Sequence, residues 1–187
     1  MDQVDHLVEE CKSGSQRAQI EIYRLYHKQV FNTCLRLVCN KVDAEDMMQN
    51  AFIDALTNIS RYKGPDTFAG WIKRIAVNNC IDFLKKRKIE PESREMLPDI
   101  ADEQSEAEEN ELKLKVETVK AAMNEIHSDY RVILSLHLFE GMDNEEICLI
   151  LKLKEGNVRT RLSRAKKALL ECIKNIEVHH EKKMMTS

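Results

Sequence analysis

Cationic and hydroxyl side chains are concentrated between residues 155 and 169, in a pattern suited to binding DNA. Arginine and lysine bind phosphates, and arginine, serine, threonine and asparagine also form hydrogen bonds with base edges. Apolar residues recur among them at helical spacing, which predicts one helix with those residues facing inward. The inward residues are Val158, Leu162, Ala165 and Leu169. The candidates for contact with DNA are Asn157, Arg159, Thr160, Ser163, Arg164 and Lys167.

A shorter helix is predicted immediately before this basic helix. Asp143 is a favourable N-cap, and Glu146 stands three residues later, as in a capping box. Residues 152–154 then form a tight turn, which is the layout of a helix-turn-helix whose second helix enters the major groove. An ordinary amphipathic helix with a solvated basic face is the alternative, and the complete two-helix pattern disfavours it.

The composition predicts an all-α protein. The 187 residues include only five glycines and three prolines, placed mostly where helices should end, and no alternating β-branched runs. No apolar run is long enough to span a bilayer, and the acidic start of the chain lacks a signal-peptide pattern. We therefore expect a cytoplasmic protein with no direct membrane insertion.

The six cysteines are scattered and form no Cys-x-x-Cys pair, so we expect reduced thiols in the core. His179 and His180 near Cys172 are the one hint of a metal site, but a frayed tail over residues 177–187 is the preferred interpretation. We expect no metal and no cofactor.

The net charge of −3 is unevenly distributed. Residues 90–111 hold ten acids and one base, a charge of −9, so the rest of the chain carries +6. This segment also contains two of the three prolines and few large apolar residues, which predicts a flexible acidic linker. The chain then divides into two small helical domains, at residues 1–89 and 112–176.

Three long helices are predicted in the first domain. One covers residues 16–39 after an N-cap at Ser15, another begins at Asp43 as its N-cap, and the last covers residues 67–88. Core candidates on the first of these are Ile22, Leu25, Tyr26, Phe31, Leu35 and Val38.

The helix that begins at Asp43 has a polar face opposite its apolar stripe. Acids near a helix start are usually no more than favourable partners of the helix dipole. An apolar side chain on such a face instead indicates a protein contact. The polar face contains Glu45, Asp46, Gln49 and Asn50, and the apolar residue among them is Ile53.

Aromatic and basic residues meet around the loop at residues 60–67. Bases of single-stranded DNA stack on aromatic rings beside cations, which suits Tyr62 and Trp71 flanked by Lys63 and Arg74. For Trp71 and its neighbour Phe68, closing the small core is the favoured alternative. The helix that follows carries a second polar set, which fits phosphate contacts that position a reading surface. This set is Asn78, Asn79, Asp82, Lys85, Lys86 and Arg87.

Three blocks of the chain resemble bacterial RNA polymerase sigma factors. Residues 43–52 (DAEDMMQNAF) resemble the segment that docks on the clamp of core RNA polymerase. Residues 68–84 look like the segment for recognition and melting of the −10 promoter element, and residues 141–169 resemble the helix-turn-helix that reads the −35 element. Their order, the small size and the absence of intervening domains match the extracytoplasmic-function type of the sigma-70 family.

The resemblance implies a role for each set of residues, within a promoter-specificity subunit that has no enzymatic activity of its own. The partners implied are core RNA polymerase, promoter DNA and an anti-sigma protein. The polymerase-binding residues are Asp43, Glu45, Asp46, Gln49, Asn50 and Ile53. The −10 residues are Tyr62, Lys63, Trp71, Arg74, Asn78, Asn79, Asp82, Lys85, Lys86 and Arg87. The −35 residues are the six outward candidates on the basic helix.

Two other functions compete with this interpretation. An autonomous helix-turn-helix transcriptional regulator would leave the acidic face of the first domain without a role. An enzyme is disfavoured because the sequence contains no P-loop, Gly-x-Gly-x-x-Gly or His-Glu-x-x-His motif.

The chain departs from the family in the turn of the helix-turn-helix, where Lys152 stands in place of the common glycine.

Overall fold

The computed structural model describes residues 3–64, 67–89 and 108–185. These residues form eight α-helices and no strand, so the all-α prediction is confirmed. The chain divides into two compact units, Met1–Pro98 and Asp99–Ser187. The first unit contains α1 (Gln3–Lys12), α2 (Gln16–Val38), α3 (Lys41–Thr57) and α4 (Phe68–Ile89). The second contains α5 (Glu108–Glu125), α6 (Ser128–Leu134), α7 (Asn144–Leu151) and α8 (Glu155–Met185).

Helix α2 contacts α1, α3 and α4 in the first unit. Ser15 is its N-cap, and the Ser15 hydroxyl accepts a hydrogen bond from the Ala18 backbone N–H at 3.3 Å. The helix ends at Val38 because Cys39 adopts the left-handed conformation, with φ 54°. Of the core candidates, Ile22, Leu35 and Val38 are buried, and Tyr26 and Phe31 are half-buried. Leu25 is 51% exposed, because it lies beside the buried stripe rather than on it.

The N-cap of α3 lies three residues earlier than predicted, so the assignment of Asp43 as the N-cap is wrong. Asn40 is the N-cap, and its side-chain oxygen accepts a hydrogen bond from the Asp43 backbone N–H at 3.0 Å. Asparagine and aspartate are equally good caps, and here the earlier residue has the extended backbone that capping requires. Asp43 therefore lies in the first helical turn, where its carboxylate is available for other contacts.

Helix α4 packs against both α2 and α3. The hydroxyl of Thr67 accepts a hydrogen bond from the Gly70 backbone N–H at 3.2 Å, which fixes the start of the helix. Ile72, Ala76 and Val77 are fully buried, and a 3₁₀ turn at Ile59–Arg61 connects α3 to the segment before α4.

The second unit differs from the sequence predictions at both ends. Helix α5 begins at Glu108, so residues 108–111 are helical, and residues 90–107 of the predicted linker lie outside the described residues. Helix α8 continues to Met185, so much of the predicted tail is helical. Between α6 and α7, Ser135–Phe139 form a π-helical turn that the sequence did not indicate. None of the helices in the described ranges combines the length and apolar character needed to cross a membrane.

Helices α7 and α8 form the predicted helix-turn-helix. Asp143 and Glu146 make both hydrogen bonds of the capping box, at 2.8 and 3.2 Å, so this prediction is confirmed. Lys152 ends α7 in the left-handed conformation, with φ 55° and ψ 46°. Its backbone N–H and that of Leu153 both donate to the Cys148 carbonyl, which holds the three-residue turn closed.

The left-handed conformation of Lys152 should make the second unit less stable than it would be with glycine at this position. A side chain with a Cβ destabilises the folded state by about 1–2 kcal/mol in this conformation, and glycine removes that strain. Glycine also gives the unfolded chain more conformational freedom, which lowers the free energy of unfolding by about 0.4–1 kcal/mol. We expect Lys152→Gly to raise the free energy of unfolding of the second unit by roughly 0.5–1 kcal/mol. Urea denaturation of the full chain followed by circular dichroism measures the change.

Lys152→Ala is the matched control, because it removes the same charge and keeps the Cβ. Fluorescence of Trp71, the only tryptophan, reports the first unit separately and should not change. Equal stabilisation by glycine and alanine would assign the effect to the lysine charge and contradict the backbone explanation.

Candidate nucleic-acid interfaces

Helix α8 presents all six candidates for −35 contact to solvent. Val158, Leu162, Ala165 and Leu169 are buried, as their spacing predicts. The exposed residues are Asn157, Arg159, Thr160, Ser163, Arg164 and Lys167. Because the buried stripe fixes the rotation of the helix, these side chains project from one continuous outer surface.

The charged groups on this surface are held only by weak intrahelical pairs. The Arg159 guanidinium lies 2.9 Å from the Glu155 carboxylate, and both side chains are well exposed. The Lys167 ammonium and the Glu171 carboxylate are 4.0 Å apart and equally exposed. Exposed pairs of this kind contribute about 0.3–0.5 kcal/mol, so a phosphate or a base edge can replace the carboxylate at little cost.

In the first unit, the predicted −10 residues Lys63, Arg74, Asn78, Asp82, Lys85 and Lys86 are exposed. Lys85 lies 3.8 Å from Asp82, one turn earlier on α4, in an exposed pair. Asn79 and Arg87 are half-buried and contact α3. The −10 set therefore divides into a solvated group and a group anchored to the neighbouring helix.

Two carboxylates of α3 anchor these residues of α4. The Arg87 guanidinium donates to the Asp43 carboxylate at 2.7 Å, and the pair is only 33% and 23% exposed. The Asn79 side-chain NH₂ donates to the Asp54 carboxylate at 2.9 Å. Asp43 was predicted to contact polymerase, whereas its carboxylate contacts α4, and Asp54 was not among the predicted site residues. The spacing of 43 and 54 places both acids on one face of α3, three helical turns apart, but does not identify their partners on α4.

The predicted aromatic cluster is present at the start of α4. The ring of Tyr62 lies 5.5 Å from that of Phe68 and 5.4 Å from that of Trp71, measured between centroids. Phe68 and Tyr62 are buried, at 2% and 7% exposure, and Trp71 is half-buried. The preference for Phe68 as a core residue is confirmed, and Trp71 is the ring of the three that is most accessible to a base.

The outer face of α3 carries the other predicted polymerase contacts. Glu45, Asp46, Gln49 and Asn50 are exposed, and Ile53 is 61% exposed. Val42, which was not among the predicted site residues, is 66% exposed at the start of the same helix. Polar and apolar side chains thus share a surface that nothing in the first unit covers among the described residues.

The thiols form no metal site within the part of the chain that is described, where no group of three potential ligands occurs. Cys34 and Cys80 are fully buried, and hydrogen bonding to Cys34 together with burial raises the pKa of the Cys80 thiol. The Cys172 thiol contacts the Glu125 carboxylate at 3.2 Å. Burial and this carboxylate raise the pKa of Cys172 to about 11.

The architecture defines a two-unit helical protein with a DNA-binding helix-turn-helix in its second unit, and comparisons with known proteins identify its family. Sigma-70 region 2 matches residues 22–89, and sigma-70 region 4 matches residues 117–169. The ECF RNA polymerase sigma factor SigW of Bacillus subtilis is 27% identical, covering 90% of this chain and 96% of that protein. SigV of the same organism is 32% identical, covering 76% of this chain and 84% of that protein.

A solved structure of the sigma factor RpoE from Bartonella quintana, in complex with the anti-sigma factor NepR, has the same fold. Its TM-score is 0.63 at 20% identity, covering 82% of this chain and 95% of that chain. The present chain belongs to the sigma-70 family of RNA polymerase sigma factors and is of the extracytoplasmic-function type.

The ion pair between Asp43 and Arg87 should stabilise the first unit. We expect a double-mutant cycle of Asp43→Ala and Arg87→Ala to give a coupling free energy of about 0.5–1 kcal/mol, because the pair is only partly exposed. Trp71 fluorescence during urea unfolding measures it. The exposed pair of Asp82 and Lys85 is the control, with a coupling near zero, and equal coupling in the two cycles would contradict the anchoring role.

Cys172 should react slowly with alkylating reagents although it is partly exposed. Its pKa of about 11, against an ordinary 9.0, lowers the thiolate fraction below pH 9. The reduction is about 100-fold, because each pKa unit is a factor of ten. Glu125→Gln removes the carboxylate charge and should accelerate iodoacetamide labelling of Cys172 severalfold at pH 8, as measured by peptide mass spectrometry. Labelling of Cys148 in the same samples is the reference; a parallel increase there would indicate loosening of the unit instead.

Proposed function

We propose that this chain binds core RNA polymerase and directs it to promoters by contacting both the −10 and the −35 elements. The observation that carries the proposal is the outer face of α3, where Ile53 and Val42 are exposed beside acidic side chains. Exposed apolar residues rimmed by polar ones mark a protein interface. A transcriptional regulator that binds only DNA does not need a protein-binding surface on α3. The alternative of an autonomous helix-turn-helix regulator is therefore disfavoured.

The polymerase contact is assigned to Glu45, Asp46, Gln49, Asn50 and Ile53. Their exposure and their position on one side of α3 support a docking surface with a polar rim and an apolar centre. Asp43 shares the helix, but its carboxylate is paired with Arg87. The carboxylate of Asp43 therefore anchors α4, and a contact of Asp43 with polymerase would involve its backbone.

The −10 contact is assigned to the start and the outer face of α4. Trp71 supplies the accessible ring on which an unstacked base rests, and Lys63 and Arg74 supply charge nearby. Tyr62 and Phe68 support Trp71 from within the core. Asn78, Asn79 and Asp82 face the DNA, with Lys85, Lys86 and Arg87 placed for phosphates.

The −35 contact is assigned to the exposed face of α8. Arg159, Arg164 and Lys167 provide charge for phosphates and base edges, and Asn157, Thr160 and Ser163 provide neutral hydrogen-bonding groups. The Thr160 hydroxyl donates to the Gly156 carbonyl at 2.8 Å, which leaves its oxygen free to accept. The chain performs no catalysis in this scheme, since the polymerase carries out the chemistry.

Regulation by an anti-sigma protein is part of the proposal. The solved structure of similar fold from Bartonella quintana contains such a protein. The exposed face of α3 is a surface that an anti-sigma protein would compete for with polymerase. The place of action is the cytoplasm, where promoter DNA and polymerase are found.

The test is whether the purified chain binds core RNA polymerase and directs initiation at selected promoters. Asp46→Ala combined with Gln49→Ala should weaken binding to core polymerase at least tenfold, because both side chains lie in the proposed contact. Fluorescence anisotropy of the labelled chain measures the affinity, and run-off transcription measures initiation.

Glu21→Ala combined with Gln29→Ala is the matched control, since both residues are exposed on α2 and the change in charge is the same. Unchanged polymerase binding in the α3 variant would refute the assigned surface. Tight binding of the chain to duplex DNA with no affinity for polymerase would refute the proposed function itself.

A further inference from the structure

We infer that Asp54 is a specificity-determining residue, which orients the Asn79 side-chain amide so that its carbonyl oxygen reads an amino group on a base of the −10 element. This inference rests on the proposed function and concerns the chemistry of its −10 surface. Asp54 touches no DNA in this scheme and acts through Asn79 as a positioning residue.

The first step is the hydrogen bond between the two side chains. Asn79 Nδ2 lies 2.9 Å from Asp54 Oδ2. A carboxylate only accepts hydrogen bonds, whereas an asparagine amide has a donor end and an acceptor end. The NH₂ group must therefore face Asp54, and the amide cannot rotate by 180° without placing two oxygen atoms against each other.

The second step is that the backbone of both residues is held in place. Asp54 lies in the last turn of α3, and its carbonyl accepts hydrogen bonds from the Asn58 backbone N–H at 3.0 Å and from the Asn58 side chain at 2.9 Å. Asn79 is flanked on α4 by Cys80, which is fully buried, so its backbone is fixed as well. The Asp43–Arg87 pair joins the same two helices at the start of α3 and the end of α4.

The third step concerns what the oriented amide offers to DNA. Asn79 is half-buried, between the exposed residues Asn78 and Asp82 of the proposed −10 surface. One N–H of the Asn79 amide is bonded to Asp54, so the amide offers its oxygen and its second N–H to DNA in fixed positions. Adenine N6 and cytosine N4 carry amino donors, whereas guanine and thymine carry carbonyl oxygens at the equivalent ring positions. Opposite the fixed oxygen, the amino group of adenine or cytosine is therefore accepted, whereas the carbonyl of guanine or thymine at that place is repelled.

A free asparagine at this position would discriminate much less. If the amide turned freely, it could donate to a carbonyl as readily as it accepts from an amino group. The carboxylate of Asp54 removes this choice, so the base preference of Asn79 depends on a residue of the neighbouring helix.

The experiment is run-off transcription by core polymerase with the full chain, on templates that carry each of the four bases at each −10 position. Asp54→Asn keeps the size of the side chain but allows either orientation of the Asn79 amide. We expect the preference for adenine or cytosine over guanine or thymine to fall about fivefold at one position, the factor given by one hydrogen bond of about 1 kcal/mol. Asn79→Ala should lose the preference at the same position, and the double variant should lose no more.

Thr57→Ala, an exposed substitution near the same end of α3, is the control and should keep the preference. A purely structural role for Asp54 would lower transcription equally on all templates and leave the ratio unchanged, which would overturn the inference. A normal ratio in Asp54→Asn with a lost ratio in Asn79→Ala would also overturn it.

Two further outcomes separate this inference from the proposed function. If Asn79→Ala keeps the base preference while the wild-type chain directs initiation, the inference fails and the function stands. If the wild-type chain directs no initiation, both fail. In the free chain, the NMR signals of the Asn79 side-chain NH₂ should shift in Asp54→Asn and stay unchanged in Thr57→Ala; unshifted signals in Asp54→Asn would contradict the hydrogen bond itself.

Discussion

The close packing of α3 against α4 is the constraint on which the first unit depends. Helices α3 and α4 pack directly against each other, and Ala44, Ala51 and Ala55 of α3 and Ala76 of α4 are fully buried. Aspartate has a short side chain, so its carboxylate reaches a neighbouring helix only when that helix is near. The contacts of Asp43 with Arg87 and of Asp54 with Asn79 are consequences of this packing.

The same packing leaves α3 with two adjacent polar faces. One face turns its carboxylates toward α4 and fixes groups of the proposed DNA surface. The adjacent face leaves Glu45, Asp46, Gln49 and Ile53 in solvent, available to a protein partner. A helix arranged in this way connects the proposed polymerase-binding surface to the proposed DNA-binding surface through two side-chain pairs, Asp43 with Arg87 and Asp54 with Asn79.

Much of the fold could be predicted from local signals in the sequence. The capping box at Asp143 and Glu146 and the N-cap at Ser15 depend on residues three positions apart, and both are present in the structure. The buried stripe of α8 could be predicted because Val158, Leu162, Ala165 and Leu169 recur every three or four residues. The wrong N-cap of α3 involves a choice between near-equal local alternatives, because either Asn40 or Asp43 could cap the helix.

The candidate site was harder to predict because its contacts are long-range. Asp43 is separated from Arg87 by 44 positions and Asp54 from Asn79 by 25, so no local pattern pairs them. The family resemblance implies a polymerase contact for Asp43, but no local pattern indicates that its carboxylate meets Arg87. Asp54 was not selected because a single acid near a helix end has an ordinary role in most proteins, and only the proximity of α4 gives it another.

The two proposed DNA surfaces differ in how their charges are held, and this difference has a functional consequence. On α8, Arg159 and Lys167 are paired only within the helix, in exposed contacts that exchange readily with phosphate. On α4, Arg87 and Asn79 are fixed by acids of another helix before DNA arrives. A surface of the first kind adapts to the backbone of intact duplex DNA and loses affinity steeply with salt. On the α4 surface, the positions of the contacting groups are set before DNA binds. This suits recognition of an unstacked base, because such a base is no longer held in position by the double helix.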